Sequence, residues 1–147
     1  MATQPDINVT AHRPDGWVDK TMIVYSAPPE PGRALQANMV VSRDALLAGE
    51  TFREYCNRQI AGFRSTLPAF EREGEGPGRV HDHDAFQILF TWTSGAGKLR
   101  QRVFFIAAGG GVAVTFAATA AADEFAEHER AFERGLAGLR IERGAAH

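Results

Sequence analysis

From Val103 to Ala122 the chain runs twenty residues without a charge, long enough to cross a bilayer as a helix. Gly109-Gly110-Gly111 interrupts the run, and Val103, Phe104, Phe105, Val112, Val114 and Phe116 around it are residue types that fill strands. Two strands joined by a glycine turn fit this stretch, and a spanning helix does not. Two strands alone cannot bury their apolar faces, so neighbours are required. Ala85 to Thr93 is one of them, with Phe86, Ile88, Phe90 and Trp92 at alternate places. Gly95-Ala96-Gly97 turns that strand into Leu99 to Ala107, and the glycine run turns it again into Val112 to Ala118. Connections this short allow only an antiparallel meander.

Upstream, Met39 to Val41 reads as a strand leading to an amphipathic helix. Thr51 and Glu54 form a T-x-x-E capping box, and Phe52, Tyr55, Cys56, Ile60, Phe63 and Leu67 recur at three- and four-residue steps. Pro68 ends the helix by pushing the residue before it out of the α region. Ile7 to His12 and Thr21 to Ser26 are expected as strands, with Trp17 a core anchor between them. Met22 and Val24 alternate with Ile23 and Tyr25, which predicts a strand covered on both faces. Pro28, Pro29, Pro31 and Gly32 mark an exposed loop. Phe70 to Glu73 reads as a short strand, and Gly74, Gly76, Pro77 and Gly78 as a loop after it. A second helix is expected from about Ala121 to Leu139, with Phe125, Phe132, Leu136 and Leu139 on one face. The expectation is an α+β chain forming a single domain over residues 1–147: a mostly antiparallel sheet of six or seven strands with two main helices.

Sixteen basic against eighteen acidic residues leave a net charge of −2, with no footprint for nucleic acid or an anionic membrane. Met1 to Asp6 has no basic start followed by an apolar stretch, so no secretory signal is read and the expected compartment is the cytoplasm. Cys56, the single cysteine, lies on the helix's apolar stripe and reads as a small buried hydrophobe.

His81-Asp82-His83-Asp84 is the cluster that most resembles a metal site, because His81 and His83 share a face of an extended backbone. Two ligands do not close a site, and a polar turn with aspartates bonding their own backbone accounts for the run. Gly109-Gly110-Gly111 lacks the lysine and following helix of a phosphate loop. Neither the spacing of Asp44 and Glu50 nor any serine or cysteine arrangement calls for catalysis, so no enzyme and no cofactor is expected. Two amides stand out instead. Gln59 borders the helix's apolar stripe, and Gln101 alternates with Leu99, Val103 and Phe105 on one face of a strand. Amides in such places bond internally, or they meet the polar groups of a ligand in an apolar groove.

Gly16-Trp17-x-Asp19, Val41-Ser42-Arg43-Asp44, Phe52-x-x-Tyr55-x-x-Arg58-Gln59 and Leu67-Pro68-x-Phe70 together resemble the DcrB-like family. Within it they are most similar to the Eag-type adaptor chaperones of bacterial type VI secretion, and the similarity runs on through Trp92, Gln101 to Phe105 and the last helix. The resemblance implies a PsbP-like α/β sandwich and a homodimeric, non-enzymatic chaperone. Such a protein shields the hydrophobic N-terminal transmembrane segments of an effector in the cytoplasm and reaches the secretion spike through that client, without inserting in a membrane itself. It also implies a groove at Met22, Val24, Val40, Ser42, Gln59 and Leu67, with Gln101 or Arg102 as the second polar member. Flexible methionines, Met22 and Met39, suit a surface that accepts more than one sequence. The other branch of the family, an envelope protein of DcrB type, is the alternative; the absent signal and lipobox cysteine count against it. A small metal-dependent enzyme using His81 and His83 is the rival from another class.

Overall fold

The computed structural model describes Ile7 and residues 9–142. Its elements are β1 (Ile23–Ser26), β2 (Asn38–Ala45), α1 (Phe52–Thr66), β3 (Glu71–Val80), β4 (His83–Ser94), β5 (Gly97–Gly109), β6 (Val112–Ala121) and α2 (Phe125–Ala137). The strands form one six-stranded sheet, ordered β1-β2-β6-β5-β4-β3, and every neighbouring pair is antiparallel. The meander of β4 to β6 is the expected one; β3 extends it at one edge, and β2 joins the free side of β6.

Glycine chemistry sets the central hairpin. Gly110 and Gly111 both have positive φ, at 63° and 75°, as a two-residue turn joining twisted strands requires. Hence the uncharged run becomes β5 and β6, and among the described residues no helix is long and apolar enough to cross a membrane. The start of α1 is set as directly: the Thr51 side chain accepts from the Glu54 N–H, and the Glu54 carboxylate accepts from the Thr51 N–H, each at 3.1 Å. The Leu67 N–H donates to the Phe63 carbonyl and closes its last turn.

The two helices cover opposite faces. Tyr55, Cys56 and Ile60 of α1 pack on Phe86, Ile88 and Phe90 of β4 and on Val103 and Phe105 of β5. Phe90 is fully buried, with the rings of Phe63 and Phe70 each centred 5.1 Å away. On the other face Phe125 and Phe132 of α2 pack on Phe116, Ala118 and Ala120 of β6, with Met39, Val41, Leu89 and Phe104 around them. Met39 therefore lies on the α2 face, opposite Met22's neighbour Val24, which shares its row with Val40.

Several expectations are corrected. The described residues of Ile7 to His12 form no strand. Trp17 is 69% exposed and anchors no core. Only Ile23 to Ser26 of the second expected strand pairs, at the edge of the sheet, and it is covered on neither face. Gly74, Gly76, Pro77 and Gly78 fall inside β3, not in a loop. An edge strand tolerates a proline and glycines on its unpaired side, and a register shift between Arg72 and Gly74 absorbs one extra residue. Residue Ala121 ends β6, so α2 begins four residues later than expected.

Two measurements follow. Phe90→Ala should cost about 3–5 kcal/mol of unfolding free energy in a denaturant titration, whereas Trp17→Ala should stay within about 0.5 kcal/mol. Equal losses would contradict the positions of the two rings. The second concerns the clamp at the head of α1. The Arg58 guanidinium bonds Glu50 at 2.8 and 2.9 Å. It and the Leu47 N–H bring the carboxyl pKa from 4.5 down to about 2. A carboxyl depressed on folding stabilises fully above its unfolded pKa and loses that contribution as pH falls through the folded one. The fall of Tm between about pH 4.5 and 2 should therefore be shallower in Glu50→Gln than in the parent protein.

Candidate binding groove

α1 covers only part of its face of the sheet. It lies over β4 and β5, where Phe86, Phe90 and Phe105 supply the bulk. On the same face β6 presents Ala113, Thr115, Ala117 and Thr119, as its pairing with β5 and β2 shows. Small side chains leave the floor low beside the helix, and a trough results. Across it the register aligns Val24, Val40, Ala117 and Val103 in one apolar row. A polar row lies on either side: Ser42 with Thr115, and Asn38 with Thr119 and Gln101.

Within this trough lies a recess of about 370 Å³. It brings together Ser42 from β2, Gln59 from α1 and Gln101 from β5, with Tyr55 and Phe63 on the helix side and Thr115 and Ala117 on the floor. Val40 sits in the adjoining apolar row, half-buried. Val24 continues that row onto the sheet edge at 53% exposure, and Met22, just before β1, is 55% exposed. Leu67 stands apart. It caps the far end of α1 and packs with the core cluster under the helix, eight residues or roughly 12 Å along the axis from Gln59.

Strand alternation decides between the two candidates on β5. Gln101 shares its face with Val103 and Phe105, under α1, whereas Arg102 faces α2. There Arg102 lines a second recess of only about 50 Å³ beside Phe104 and Phe116, and its Nε is buried without a partner among the described residues. The Trp92 indole N–H donates to the Gln101 Oε1. Because an indole only donates, this bond orients the amide and leaves its NH₂ as the remaining polar group. Among the described residues neither that NH₂ nor the Gln59 amide has a hydrogen-bond partner, so both offer donors to an occupant.

Tyr55, on the helix side of the recess, is engaged. The Tyr55 hydroxyl donates to Asp44 over 3.4 Å, and burial, then the Asp44 charge, raises its pKa. Burial also pushes the Cys56 thiol up to about 11, so it stays protonated at neutral pH. His81 sits in the β3–β4 turn with φ 53°, and His83 Nδ1 lies 3.1 Å from the Ala107 carbonyl, which assigns that nitrogen the proton. Among the described residues no three His, Cys, Asp or Glu side chains gather as a metal would need. Reading the sequence alone missed Tyr55, Phe63, Thr115 and Ala117 as groove residues. The signal for the last two was present, in the small side chains alternating with Val114, Phe116 and Ala118.

The chain is similar to known proteins in sequence and in fold. Effector EagT6 of Pseudomonas aeruginosa is 29% identical over 126 residues, 86% of each chain. The crystal structure of PA94, a protein of unknown function from the same organism, superposes with a TM-score of 0.78 at 25% identity, covering 89% of this chain and 90% of its own. Cyanobacterial PsbP from Synechocystis superposes over 82% of each chain with a TM-score of 0.55 at 9% identity, which makes the fold PsbP-like. The family description DcrB matches residues 11–137, and on that match the chain belongs to the DcrB family.

Proposed function

We propose that this protein is a chaperone and adaptor for a type VI secretion effector. It takes the effector's hydrophobic N-terminal transmembrane segments into the trough beside α1, works in the cytoplasm as a homodimer of a single domain spanning residues 1–147, and meets the secretion spike only through its client. It performs no chemistry and holds no cofactor. Kinship with effector EagT6 supports the effector link. The observation that carries the reading is an open apolar row flanked by two amides, Gln59 and Gln101, whose donors are unspent.

The dimensions suit a helix as occupant. The fifteen residues of α1 make a wall about 22 Å long, against about 30 Å for a transmembrane helix of some 20 residues. A client helix packed along α1 at roughly 8–10 Å would rest on Val24, Val40 and Ala117. Burying several hundred Å² of its surface is worth on the order of 10 kcal/mol at about 25 cal/mol per Å², before association costs. A helical client has its backbone bonded internally, but each carbonyl has a second lone pair that an amide N–H can use. The two glutamines would then set depth and register, and the apolar row would supply affinity.

The test uses a tagged N-terminal segment of an effector co-purified with the chaperone. Gln59→Ala should weaken binding by about 1–3 kcal/mol and leave Tm unchanged, since the amide bonds nothing among the described residues. Val24→Asp places a carboxylate against an apolar helix at a position already half exposed, so the protein should fold and lose most of its affinity. Variants that fold and retain the segment at parental affinity would contradict the groove.

A further inference from the structure

β1 is the least supported element of the sheet. Four register pairs join it to β2, and among the described residues none of its side chains enters a core cluster. Ile23, Val24 and Tyr25 are instead 47, 53 and 65% exposed. A strand with so few apolar contacts belongs to the part of a structure that opens locally most readily. Ionic contacts close both of its ends. Before it, the Asp19 carboxylate accepts from the Thr21 N–H at 2.8 Å, from the Thr21 hydroxyl and from the Arg43 guanidinium of β2. After it, residues 27–37 loop back through Pro28, Pro29 and Pro31, and the Ala27 N–H donates to the Ala37 carbonyl at 2.7 Å. From this loop Arg33 reaches α2. Its guanidinium lies 3.1 Å from Glu30, 3.4 Å from Glu124 and 3.2 Å from Glu127, and it meets the two Glu127 oxygens with separate nitrogens.

We infer that β1 is a flap held by these two clasps, Asp19–Arg43 before it and Arg33–Glu124–Glu127 after it, and that they position Met22 and Val24 at the margin of the trough. The flap itself stands on the ion pairs; its bearing on a client rests on the proposed chaperone function. The clasps grip β1's flanks and not β1, so charges outside the trough govern an apolar margin. Donors from Thr21, then Arg43, bring the Asp19 pKa from 3.8 down to about 2, and the Glu127 bond raises that of Arg33. Both groups therefore keep their charge at neutral pH. An exposed ion pair holds little by itself. Here little opposes it, because lifting β1 uncovers no core. Glu124 stands at the N-cap position of α2 and Glu127 in its first turn, where the helix dipole favours carboxylates. Arg33 can therefore leave them without unfolding α2. With the clasps shut, Val24 is the outer end of the row formed with Val40 and Ala117. With them open that end is no longer fixed, and a client finds the complete row in only a fraction of molecules. Exposed pairs weaken as the screening length falls, from about 10 Å at 0.1 M salt to about 3 Å at 1 M, so the margin responds to ionic strength.

Amide hydrogen exchange reads the flap directly. In the parent protein residues 22–27 should exchange about fivefold faster at 1 M than at 0.1 M sodium chloride, whereas β5 should not change. The Asp19→Asn/Arg33→Gln double variant removes one charge of each sign, so the net charge stays at −2, and neither side chain lines the recess. It should show the fast β1 exchange at both salt concentrations. Its affinity for a lysine-flanked, 20-residue leucine–alanine helix at 0.1 M salt should fall about threefold. Because that loss acts through β1, Val24→Ala should weaken binding less in the double variant than in the parent, whereas Gln59→Ala should weaken both equally. β1 exchange indifferent to salt or to the two substitutions, or β5 exchange that rises as much, would overturn the clasps. Fast exchange with parental affinity, or equal Val24→Ala losses in the two backgrounds, would overturn their bearing on the trough. A parent that binds no helix but shows the expected exchange would sink the chaperone reading and leave the clasps standing.

Discussion

The seating of α1 on the aromatic side chains of β4 and β5 is the packing contact on which the rest of the structure depends. Tyr55 meets Phe105 edge-on at 6.1 Å, and Phe63 stacks on Phe90 at 5.1 Å and on Phe105 at 6.2 Å. Ring pairs of this kind add about 0.5–1.5 kcal/mol each beyond the area they bury. Because this bulk lies to one side of the sheet's centre, the helix lies there too. β6 offers alanines and threonines on the same face, which attract no helix and leave space above them. The trough is thus a consequence of an uneven distribution of volume across one face. No loop or insertion is needed to make it.

The opposite face shows the contrast. There β6 presents Phe116 with Ala118 and Ala120, and α2 comes down over them. Its approach is close enough that a Cβ on Gly135 would lie 2.4 Å from the Met39 sulfur. Glycine at this point lets helix and sheet meet, and Met39 is spent as filler beneath α2. The larger recess, about 370 Å³, lies on the α1 face, whereas the other face holds recesses of about 50 Å³ beneath α2 and about 250 Å³ between Ile23, Val41 and Leu139. A single strand, β6, serves both: its odd and even residues carry opposite instructions about volume.

Much of this was legible in residue order, for local reasons. The T-x-x-E box and Pro68 bound α1 through bonds and sterics within a few residues. The glycine run forced a hairpin because consecutive left-handed residues suit little else. What was illegible depended on partners distant in sequence. β3 looks like a loop, since nothing in Gly74 to Gly78 favours a strand; β4 imposes the pairing. Trp17 and the apolar residues of β1 look like core, but β1 is last in the sheet and nothing described packs on it. Gln59 and Gln101 were visible as misplaced amides, and the resemblance brought in Ser42 and Val40. That Gln59, Gln101 and Ser42 line one recess, with Val40 in the row beside it, follows only once β6 is known to lie between β2 and β5. Leu67 illustrates the opposite case. It lies on the stripe as expected, yet at the end of the helix remote from the recess.

The central claim is that a hydrophobic helix occupies the α1 face and no other. Photo-crosslinking from single positions addresses it most directly. Lys20 lies at the rim of the recess and is exposed, and Glu133 is exposed on α2, on the far side of the sheet. With a photoreactive amino acid at either position and an effector's N-terminal transmembrane segment bound, illumination should give adducts to the segment from position 20 and none from position 133. Adducts from position 133, or none from position 20 while the segment remains bound, would contradict the account.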